Sequence, residues 1–407
     1  MLPQLLLLAA LISEPMDWPQ FRGPNSDGHA VGAAACPTEW SETKNVLWKT
    51  DIAGLGWSSP VIVGNQVFLT TAVREENRLS LRALALDSNS GKQLWETTIR
   101  ILENAPAIHS KNSHASPTPI VRDDLIYVHF GAQGLACLAA EDGQIRWSCT
   151  ELSYAPVHGN GGSPILSEGM LVIVCDGGNE QFVAGVDAKS GKVAWKTPRA
   201  MRGKQTHSFV TPTVVTIEGQ KQVLAPGPDH FAAYELHSGK ELWRVVAPGW
   251  SVVPQPAVGH GMVFYNHDYD LPELMAVKLG GHGDVTETNV AWRMKRGAPS
   301  TPSPVLVGDE LYFVSDDGIA SCVDARTGER HWQERLSGNF SASPIYANGR
   351  ILFLNETGTA TWFEAKKTFS TVQTNELPGR TFATSAIIEG RIYLRTEHSL
   401  YKFGNSK

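Results

Sequence analysis

The sequence has few charged side chains and no long apolar run. Asp, Glu, Lys and Arg make up 19% of the 407 residues, and the formal net charge is −6. No stretch reaches the roughly 18 to 20 consecutive apolar residues that a membrane-spanning helix needs. No cluster of basic residues offers a binding surface for nucleic acid or for an acidic membrane. We therefore expect a soluble protein with no nucleic-acid partner and no transmembrane segment.

Cysteine is also scarce, and known catalytic motifs are missing. None of the five cysteines has the CxxC spacing of a zinc site, and their odd number leaves at least one unpaired within the chain. Cys137 and Cys149 flank a predicted hairpin, where they would form either a cross-strand disulfide or two buried thiols. No nucleophile elbow, HExxH motif, P-loop or dinucleotide fingerprint occurs in a suitable context. Hydrolase and nucleotide-enzyme functions therefore have no support.

The amino terminus resembles a secretory signal. An apolar run at 5–12 has the length of a signal h-region, although no Lys or Arg precedes it and no A-x-A site follows. No cysteine is available there for lipid attachment. We predict a signal peptide at 1–13, a single propeller domain over 17–407, and a periplasmic or secreted protein that is not a lipoprotein.

A unit of ten residues recurs along the chain and predicts a β-hairpin. Its strongest copies occupy 86–95 (LDSNSGKQLW), 186–195 (VDAKSGKVAW) and 323–332 (VDARTGERHW), and weaker copies occupy 138–147 and 234–243. An apolar residue precedes an Asp that can accept N–H bonds of a turn, and Gly follows where a positive φ is needed. Seven strand ends carry a tryptophan at intervals of 40 to 52 residues: Trp48, Trp95, Trp147, Trp195, Trp243, Trp292 and Trp332.

A period of this length with four short strands per unit is typical of a β-propeller. Eight starts of an inner strand are visible: Ser59-Pro60, Ser116-Pro117, Ser163-Pro164, Thr211-Pro212, Gln255-Pro256, Ser303-Pro304, Ser343-Pro344 and Ser385-Ala386. The first unit has only an outer strand, around Trp48, and the last unit lacks one. We therefore predict an all-β, eight-bladed propeller whose ring closes by pairing the N-terminal strand with the C-terminal three.

These units resemble the repeat of the pyrroloquinoline-quinone (PQQ)-dependent dehydrogenases over essentially the whole chain after the signal. The segment DWPQFRGPNSDG at 17–28, followed by NVLW at 45–48, is similar to the start of that superfamily. It looks most like the uncharacterised PQQ-like propeller proteins of planctomycete-type bacteria. The barrel-assembly lipoprotein of Gram-negative outer membranes has a similar ring and no known catalysis, so the repeat implies a fold and not an enzyme.

The quinoprotein active site implied by the resemblance holds its quinone between a tryptophan and a disulfide of adjacent cysteines. Below the quinone, acidic and amide side chains hold calcium. No two cysteines are adjacent here, and no catalytic Asp or calcium-binding pair is identified by motif. The sequence therefore assigns no catalytic and no metal-binding residue. Because some related enzymes lack the disulfide, PQQ with calcium stays an open alternative.

The segments that lead from an outer strand into the next inner strand are expected to meet at one mouth of the channel. Convergent imidazoles there could bind a transition metal or act as acid and base, and neighbouring cations could hold an anionic ligand. Alternatively, these side chains are only the polar lining of a channel mouth. The candidates for cofactor binding are His109, His114, His158, Asn160, His207, Arg296 and Arg380.

The repeat residues are complete while a catalytic set is not identifiable. This combination favours an exported binding or assembly scaffold, with an envelope protein or a small ligand at the channel mouth. The alternative is a PQQ-dependent oxidoreductase that acts on an alcohol or a sugar.

Overall fold

The structure, a computed structural model, describes residues 17–32, 34–199 and 205–405. The predicted signal peptide at 1–13 lies outside these residues. Apart from one 3-10 turn and one short helix, the regular structure of the described residues consists of β-strands in eight sheets, which are the blades of a closed propeller. The predicted fold class is therefore confirmed. No helix among the described residues is long and apolar enough to cross a membrane.

The first four blades contain consecutive antiparallel strands. Blade 1 consists of β2 (Val61–Val63), β3 (Gln66–Glu75), β4 (Arg78–Asp87) and β5 (Gln93–Leu102). Blade 2 consists of β6 (Ile120–Arg122), β7 (Leu125–His129), β8 (Leu135–Ala139) and β9 (Ile145–Cys149), with a 3-10 turn at Gly131–Gln133. Blade 3 consists of β10 (Ile165–Ser167), β11 (Met170–Asp176), β12 (Gln181–Asp187) and β13 (Val193–Pro198). Blade 4 consists of β14 (Thr213–Ile217), β15 (Gln220–Gly227), β16 (His230–Glu235) and β17 (Glu241–Val246).

The other four blades include the irregular fifth and the composite eighth. Blade 5 consists of β18 (Ala257–Gly259), β19 (Met262–His267), β20 (Glu273–Lys278) and β22 (Val290–Met294). Before β22 lie β21 (Gly283–Asp284), which pairs in parallel with β17, and the short helix α1 (Thr286–Asn289). Blade 6 consists of β23 (Val305–Val307), β24 (Glu310–Val314), β25 (Ile319–Asp324) and β26 (Arg330–Arg335). Blade 7 consists of β27 (Ile345–Ala347), β28 (Arg350–Leu354), β29 (Thr359–Glu364) and β30 (Thr371–Glu376).

Blade 8 closes the ring with strands from both ends of the chain. Its three inner strands are β31 (Ala386–Ile388), β32 (Arg391–Arg395) and β33 (Ser399–Phe403), and its outer strand is β1 (Val46–Asp51). Thr50 pairs with Leu400 in the antiparallel register of β1 and β33. The buried Arg395 donates to Ser58 Oγ at 2.7 Å and to the Thr70 carbonyl at 3.0 Å, which ties blade 8 to blade 1. The predicted closure is confirmed.

The recurring tryptophan and glycine hold neighbouring blades together. Trp48 Nε1 donates to the Ser88 carbonyl of the next blade at 3.0 Å, and its ring lies over Gly91. A Cβ at Gly91 would lie 2.8 Å from that ring, and its φ of +73° already disfavours other residues. The same arrangement recurs for Trp95, Trp147, Trp195 and Trp292. The Asp-x-x-Gly-to-Trp unit therefore encodes a blade-to-blade contact as well as a hairpin.

Residues 17–31, the floor segment, cross the channel beneath the innermost strands. Trp18 is fully buried and forms a bridge with Ile62 of blade 1. The buried Arg22 donates to the Pro304 carbonyl of blade 6 at 2.6 Å, and burial lowers its pKa to about 10. Further backbone bonds join the segment to blades 2, 7 and 8 through Val121, Tyr346 and Ile387. The floor segment thus contacts five of the eight blades.

One detail differs from the sequence expectations, and one open alternative is decided. The inner strand of blade 2 starts after Thr118-Pro119, two residues beyond the predicted Ser116-Pro117, because β6 begins at Ile120. All five cysteines are free. Cys137 lies opposite Trp147 and Cys149 lies opposite Leu135. The two cysteines are therefore offset by two residues along the hairpin and do not face each other. The alternative of two buried thiols therefore describes this hairpin.

Candidate functional site

A cavity of about 400 Å³ occupies the mouth of the central channel. Its walls come from the segments that precede the inner strands, as predicted, and also from the turns after the second strand of a blade. Phe21 of the floor segment contributes to its lining from below. The volume lies within the range of about 300 to 1,000 Å³ that small-ligand pockets occupy.

A hydroxyl ring surrounds the cavity where the inner strands begin. Six backbone N–H groups each donate to the hydroxyl of the next blade at 2.9 to 3.0 Å. Blade 5 breaks the pattern, because Gln255 replaces the hydroxyl residue and its Nε2 donates to the Pro212 carbonyl. These bonds fix the spacing of the inner strands around the channel. The accepting hydroxyls belong to Thr118, Ser163, Thr211, Ser303, Ser343 and Thr384.

Three of the predicted histidines form an arc along the wall of the cavity. The rings of His109 and His158 lie 5.5 Å apart, and those of His158 and His207 lie 5.2 Å apart. The His109 N–H donates to the His158 carbonyl at 3.2 Å, which holds two adjacent loops together. The arc continues to Trp250, whose ring is 5.4 Å from His207. Consecutive blades therefore bring these side chains together, as blade order predicted.

Burial disfavours the charged form of two imidazoles of the arc. His207 is 1% exposed, and burial followed by the nearby His158 lowers its pKa to about 4. Burial followed by His109 also lowers the pKa of His158. Neither ring nitrogen of His207 has a hydrogen-bond partner among the described residues. At neutral pH the imidazole of His207 is therefore uncharged.

Two aromatic pairs line opposite sides of the mouth. Trp57 and Phe382 have ring centroids 4.7 Å apart at the seam between blades 1 and 8. Trp250 and Tyr269 lie 6.4 Å apart on blade 5. Blades 1 and 5 face each other across an eight-bladed ring, so the pairs form two opposed walls. Arg380 lies at the rim, 5.8 Å from each ring of the first pair, and binds Glu397 at 2.9 Å.

An ion pair joins distant blades across the mouth. Lys111, before blade 2, contacts Glu356 of blade 7 at 2.9 Å, and the Ser341 hydroxyl donates to the same carboxylate at 2.6 Å. Burial lowers the pKa of Lys111, but the hydrogen bond and charge of Glu356 outweigh it, so the pKa is raised overall. Lys111 therefore stays protonated, and its charge is largely neutralised by Glu356.

The other predicted site residues do not line the cavity. Asn160 packs beneath the loop, where its Oδ1 accepts the Tyr154 hydroxyl at 2.6 Å. His114 lies close enough to Arg74 that this charge, after burial, lowers its pKa. Arg296 is exposed, and its backbone carbonyl accepts a hydrogen bond from Gln333 Nε2. His109 and His158 line the cavity, while His207 supports His158 from behind.

Sequence reasoning missed the residues that follow the second strand of a blade. Glu356 and Tyr269, together with Asp270, occupy this position, at the same end of the ring as the loops considered. Asp316 follows the second strand of blade 6, accepts the Thr301 N–H at 2.8 Å and hydroxyl at 2.6 Å, and so shapes the loop before that blade. Because every blade places this turn at the mouth, the repeat itself carried the missing signal.

The mouth does not fit PQQ with calcium. All cysteines are free and none is adjacent to another, so no disulfide can stack on a quinone. Among residues 17–32, 34–199 and 205–405, no group of three or more His, Cys, Asp or Glu side chains could hold a metal ion. The cation of the cavity wall, Lys111, is neutralised by Glu356, and the exposed Asp270 adds negative charge. An anionic quinone beside Asp270 would meet a carboxylate, and the cation of the described lining is already paired.

Comparison with known proteins agrees with the propeller architecture. Residues 37–175, 179–279 and 281–400 match the family model described as outer membrane protein assembly factor BamB. An outer membrane protein assembly factor BamB of Moranella endobia is 21% identical over 296 residues, 71% of this chain and 67% of the relative. The quinohemoprotein alcohol dehydrogenase ADH IIB of Pseudomonas putida is 24% identical over 319 residues, 75% of this chain but 43% of the enzyme.

The crystal structure of BamB from Moraxella catarrhalis gives a TM-score of 0.61 at 14% identity, covering 88% of this chain and 98% of that one. At this identity the likeness concerns the fold alone. The family model, in contrast, matches nearly the whole propeller, from before β1 into β33. This chain therefore belongs to the BamB-type family of PQQ-like repeat propellers.

Proposed function

We propose that this chain is a binding scaffold of the bacterial envelope that holds a ligand or partner at the channel mouth. The observation that carries the proposal is the composition of the cavity wall. Opposed aromatic pairs and a ring of hydroxyls supply contact surface, while the Lys111 charge is neutralised by Glu356. Such a wall suits recognition, because it offers contact surface while Lys111 is already paired and His207 is held neutral.

The rigidity of the ring supports the same proposal. The floor segment, the closing strand β1 and the hydroxyl ring each connect neighbouring or distant blades. A surface held in this way loses little conformational freedom when a ligand binds. The family description, an outer membrane protein assembly factor, is consistent with such a role. We place the protein on the periplasmic side of the envelope or outside the cell, with an envelope component as its partner.

Affinity capture tests the proposal directly. Immobilised protein and its Trp57→Ala, Trp250→Ala double variant are exposed to detergent-solubilised envelope extract of the host. We expect a defined component to be retained by the wild type and lost by the variant, because the variant removes one ring from each aromatic wall. Circular dichroism melting verifies that the variant is folded. Retention of the same material by both proteins would contradict binding at the mouth.

A quinoprotein oxidoreductase is the competing function, and it has its own measurement. Purified protein is titrated with PQQ and calcium while tryptophan fluorescence is followed, and dye-linked oxidation of alcohols and sugars is assayed. We expect neither saturable quenching nor turnover, since the mouth repels anions. Micromolar quenching accompanied by turnover would replace the scaffold proposal with a dehydrogenase.

A further inference from the structure

The hydroxyl ring presents unused hydrogen-bond donors to the cavity. Each of its six oxygens accepts an N–H from the preceding blade, but none of the six O–H groups has an acceptor among the described residues. A hydroxyl can donate one bond and accept two. All six residues line the cavity, so their protons are available to oxygen atoms of a ligand.

The opposed aromatic pairs suit a ligand with two apolar faces. Trp57 and Phe382 stand on one side, and Trp250 and Tyr269 on the other. A pyranose ring exposes C–H groups on its faces and hydroxyls at its rim. Its faces can therefore pack on aromatic rings while its rim reaches polar groups below and beside them.

The charges of the cavity select against anions. Lys111 is paired with Glu356 at 2.9 Å, whereas Asp270 is exposed and makes no ion pair among the described residues. Within the lining that the structure describes, Asp270 is thus the charge without a counter-ion, and its carboxylate disfavours carboxylates and phosphates beside it. The Asp270 carboxylate can accept bonds from ligand hydroxyls. Nδ1 of His109 accepts the Lys111 N–H, so its Nε2 carries the proton and can donate.

We propose that the mouth cavity binds a neutral oligosaccharide, stacked between the two aromatic pairs with its hydroxyls on the hydroxyl ring and Asp270. A neutral glycan supplies both donors and acceptors, as these groups require, whereas an anionic cofactor or a peptide carboxylate meets the charge of Asp270. This inference rests on the proposed function, because it names the chemistry of the ligand that the scaffold holds.

Isothermal titration calorimetry with defined sugars tests this inference on the full chain. Cellotriose, maltotriose and chitotriose are titrated into the wild type and into Trp250→Ala and Asp270→Asn. We expect saturable binding of at least one trisaccharide, weakened about tenfold by each variant because each removes a contact that the cavity makes. Glu389→Gln, in an exposed turn at the opposite end of the ring, is the matched charge control and should bind like the wild type.

The direction in which Asp270→Asn changes the affinity best distinguishes a neutral ligand from an anionic one. A neutral sugar loses an acceptor and binds more weakly, whereas an anionic ligand binds more tightly once the carboxylate is gone. Failure of all three sugars to bind, or tighter binding by Asp270→Asn, would overturn the inference. If Trp250→Ala does not fold, Asp270→Asn alone decides, since it changes one exposed group. Should the sugars fail while capture of an envelope protein still depends on the mouth, the scaffold function stands and only its ligand class is wrong.

Discussion

The floor and the mouth of the channel close the same ring at opposite ends by different means. The floor segment uses backbone bonds to inner strands and the fully buried Trp18. The mouth uses side chains from loops of unequal length, and these make contacts such as that between Lys111 and Glu356. The difference indicates that the floor is fixed by buried bonds, whereas the mouth leaves hydroxyl protons of the described residues without an acceptor. Four sets of substitutions can break or sharpen this distinction.

The largest effect is expected at the floor. Trp18→Ala removes a buried ring that packs against Ile62 and the core between blades 8 and 1, and we expect a loss of about 3–5 kcal/mol in the free energy of unfolding. Trp250→Ala at the mouth should lose about 1 kcal/mol or less, because that ring is partly exposed. Urea unfolding measures both. Equal losses would remove the distinction between floor and mouth.

A smaller effect is expected from pH at the histidine arc. The folded-state pKa of His207 is about 4 and its ordinary value is 6.5. Between these values the unfolded chain binds a proton that the folded chain does not, so stability falls as pH falls from about 6.5 to about 4. As the pH falls over this range, we expect the free energy of unfolding of His207→Phe to drop by roughly 2 kcal/mol less than that of the wild type. Urea unfolding at pH 7.5 and 4.5 measures this difference.

Other histidines set the controls for that experiment. His129 and His230 have pKa values lowered by burial to about 4 and about 3, so they keep part of the pH dependence in the variant. His282 is exposed, and His282→Gln should leave the wild-type dependence unchanged. An identical pH response of His207→Phe and the wild type would show that folding does not lower the pKa of His207.

The ion pair across the mouth should contribute modestly. Lys111→Met leaves the partly buried Glu356 with the Ser341 hydroxyl as its side-chain partner. Because a partly buried carboxylate then lacks its cation, we expect the free energy of unfolding to fall by about 1–2 kcal/mol. Glu356→Gln should cost less, because the amide oxygen can still accept a hydrogen bond from Lys111, whose side chain is 36% exposed and stays hydrated. A double-mutant cycle from urea unfolding should give a coupling of about 1 kcal/mol. Zero coupling would mean that the two loops are held by other contacts.

The smallest effect is expected at Arg296. Its side chain is exposed and away from the cavity lining, so Arg296→Ala should change the free energy of unfolding by less than about 0.5 kcal/mol. Trisaccharide titration should give the wild-type affinity. A tenfold loss of affinity would show that the loop carrying Arg296 contributes to the binding site.

The repeat made the fold predictable, because the same residues shape a hairpin turn within one blade and form the contact with the neighbouring blade. Asp87 and Gly91 shape a turn, and the same Gly91 receives Trp48 of the neighbouring blade. The eight strand starts and the closure by β1 followed from counting such units. The start of blade 2 was misplaced by two residues because Ser116-Pro117 and Thr118-Pro119 offer the same local pattern, and only pairing with β7 distinguishes them.

The site was predictable only in part, because blade order fixes which loops meet but not where their side chains point. His109 and His114 lie five residues apart in one loop, yet one lines the cavity and the other lies near Arg74. Asn160 was expected at the mouth, but its amide oxygen accepts the Tyr154 hydroxyl beneath the loop instead. The Glu356 contact with Lys111 joins residues 245 positions apart, which no local pattern reveals.

The closing strand β1 affects how the chain folds during its synthesis. Asp51 accepts a hydrogen bond from Ser399, 348 residues later in the chain. During synthesis β1 must therefore stay unpaired until its partner strand β33 has been made. Such a late, distant pairing slows folding and leaves a strand edge open to wrong partners in the meantime. The closure that removes the sheet edges of the finished ring thus leaves one edge exposed in the nascent chain.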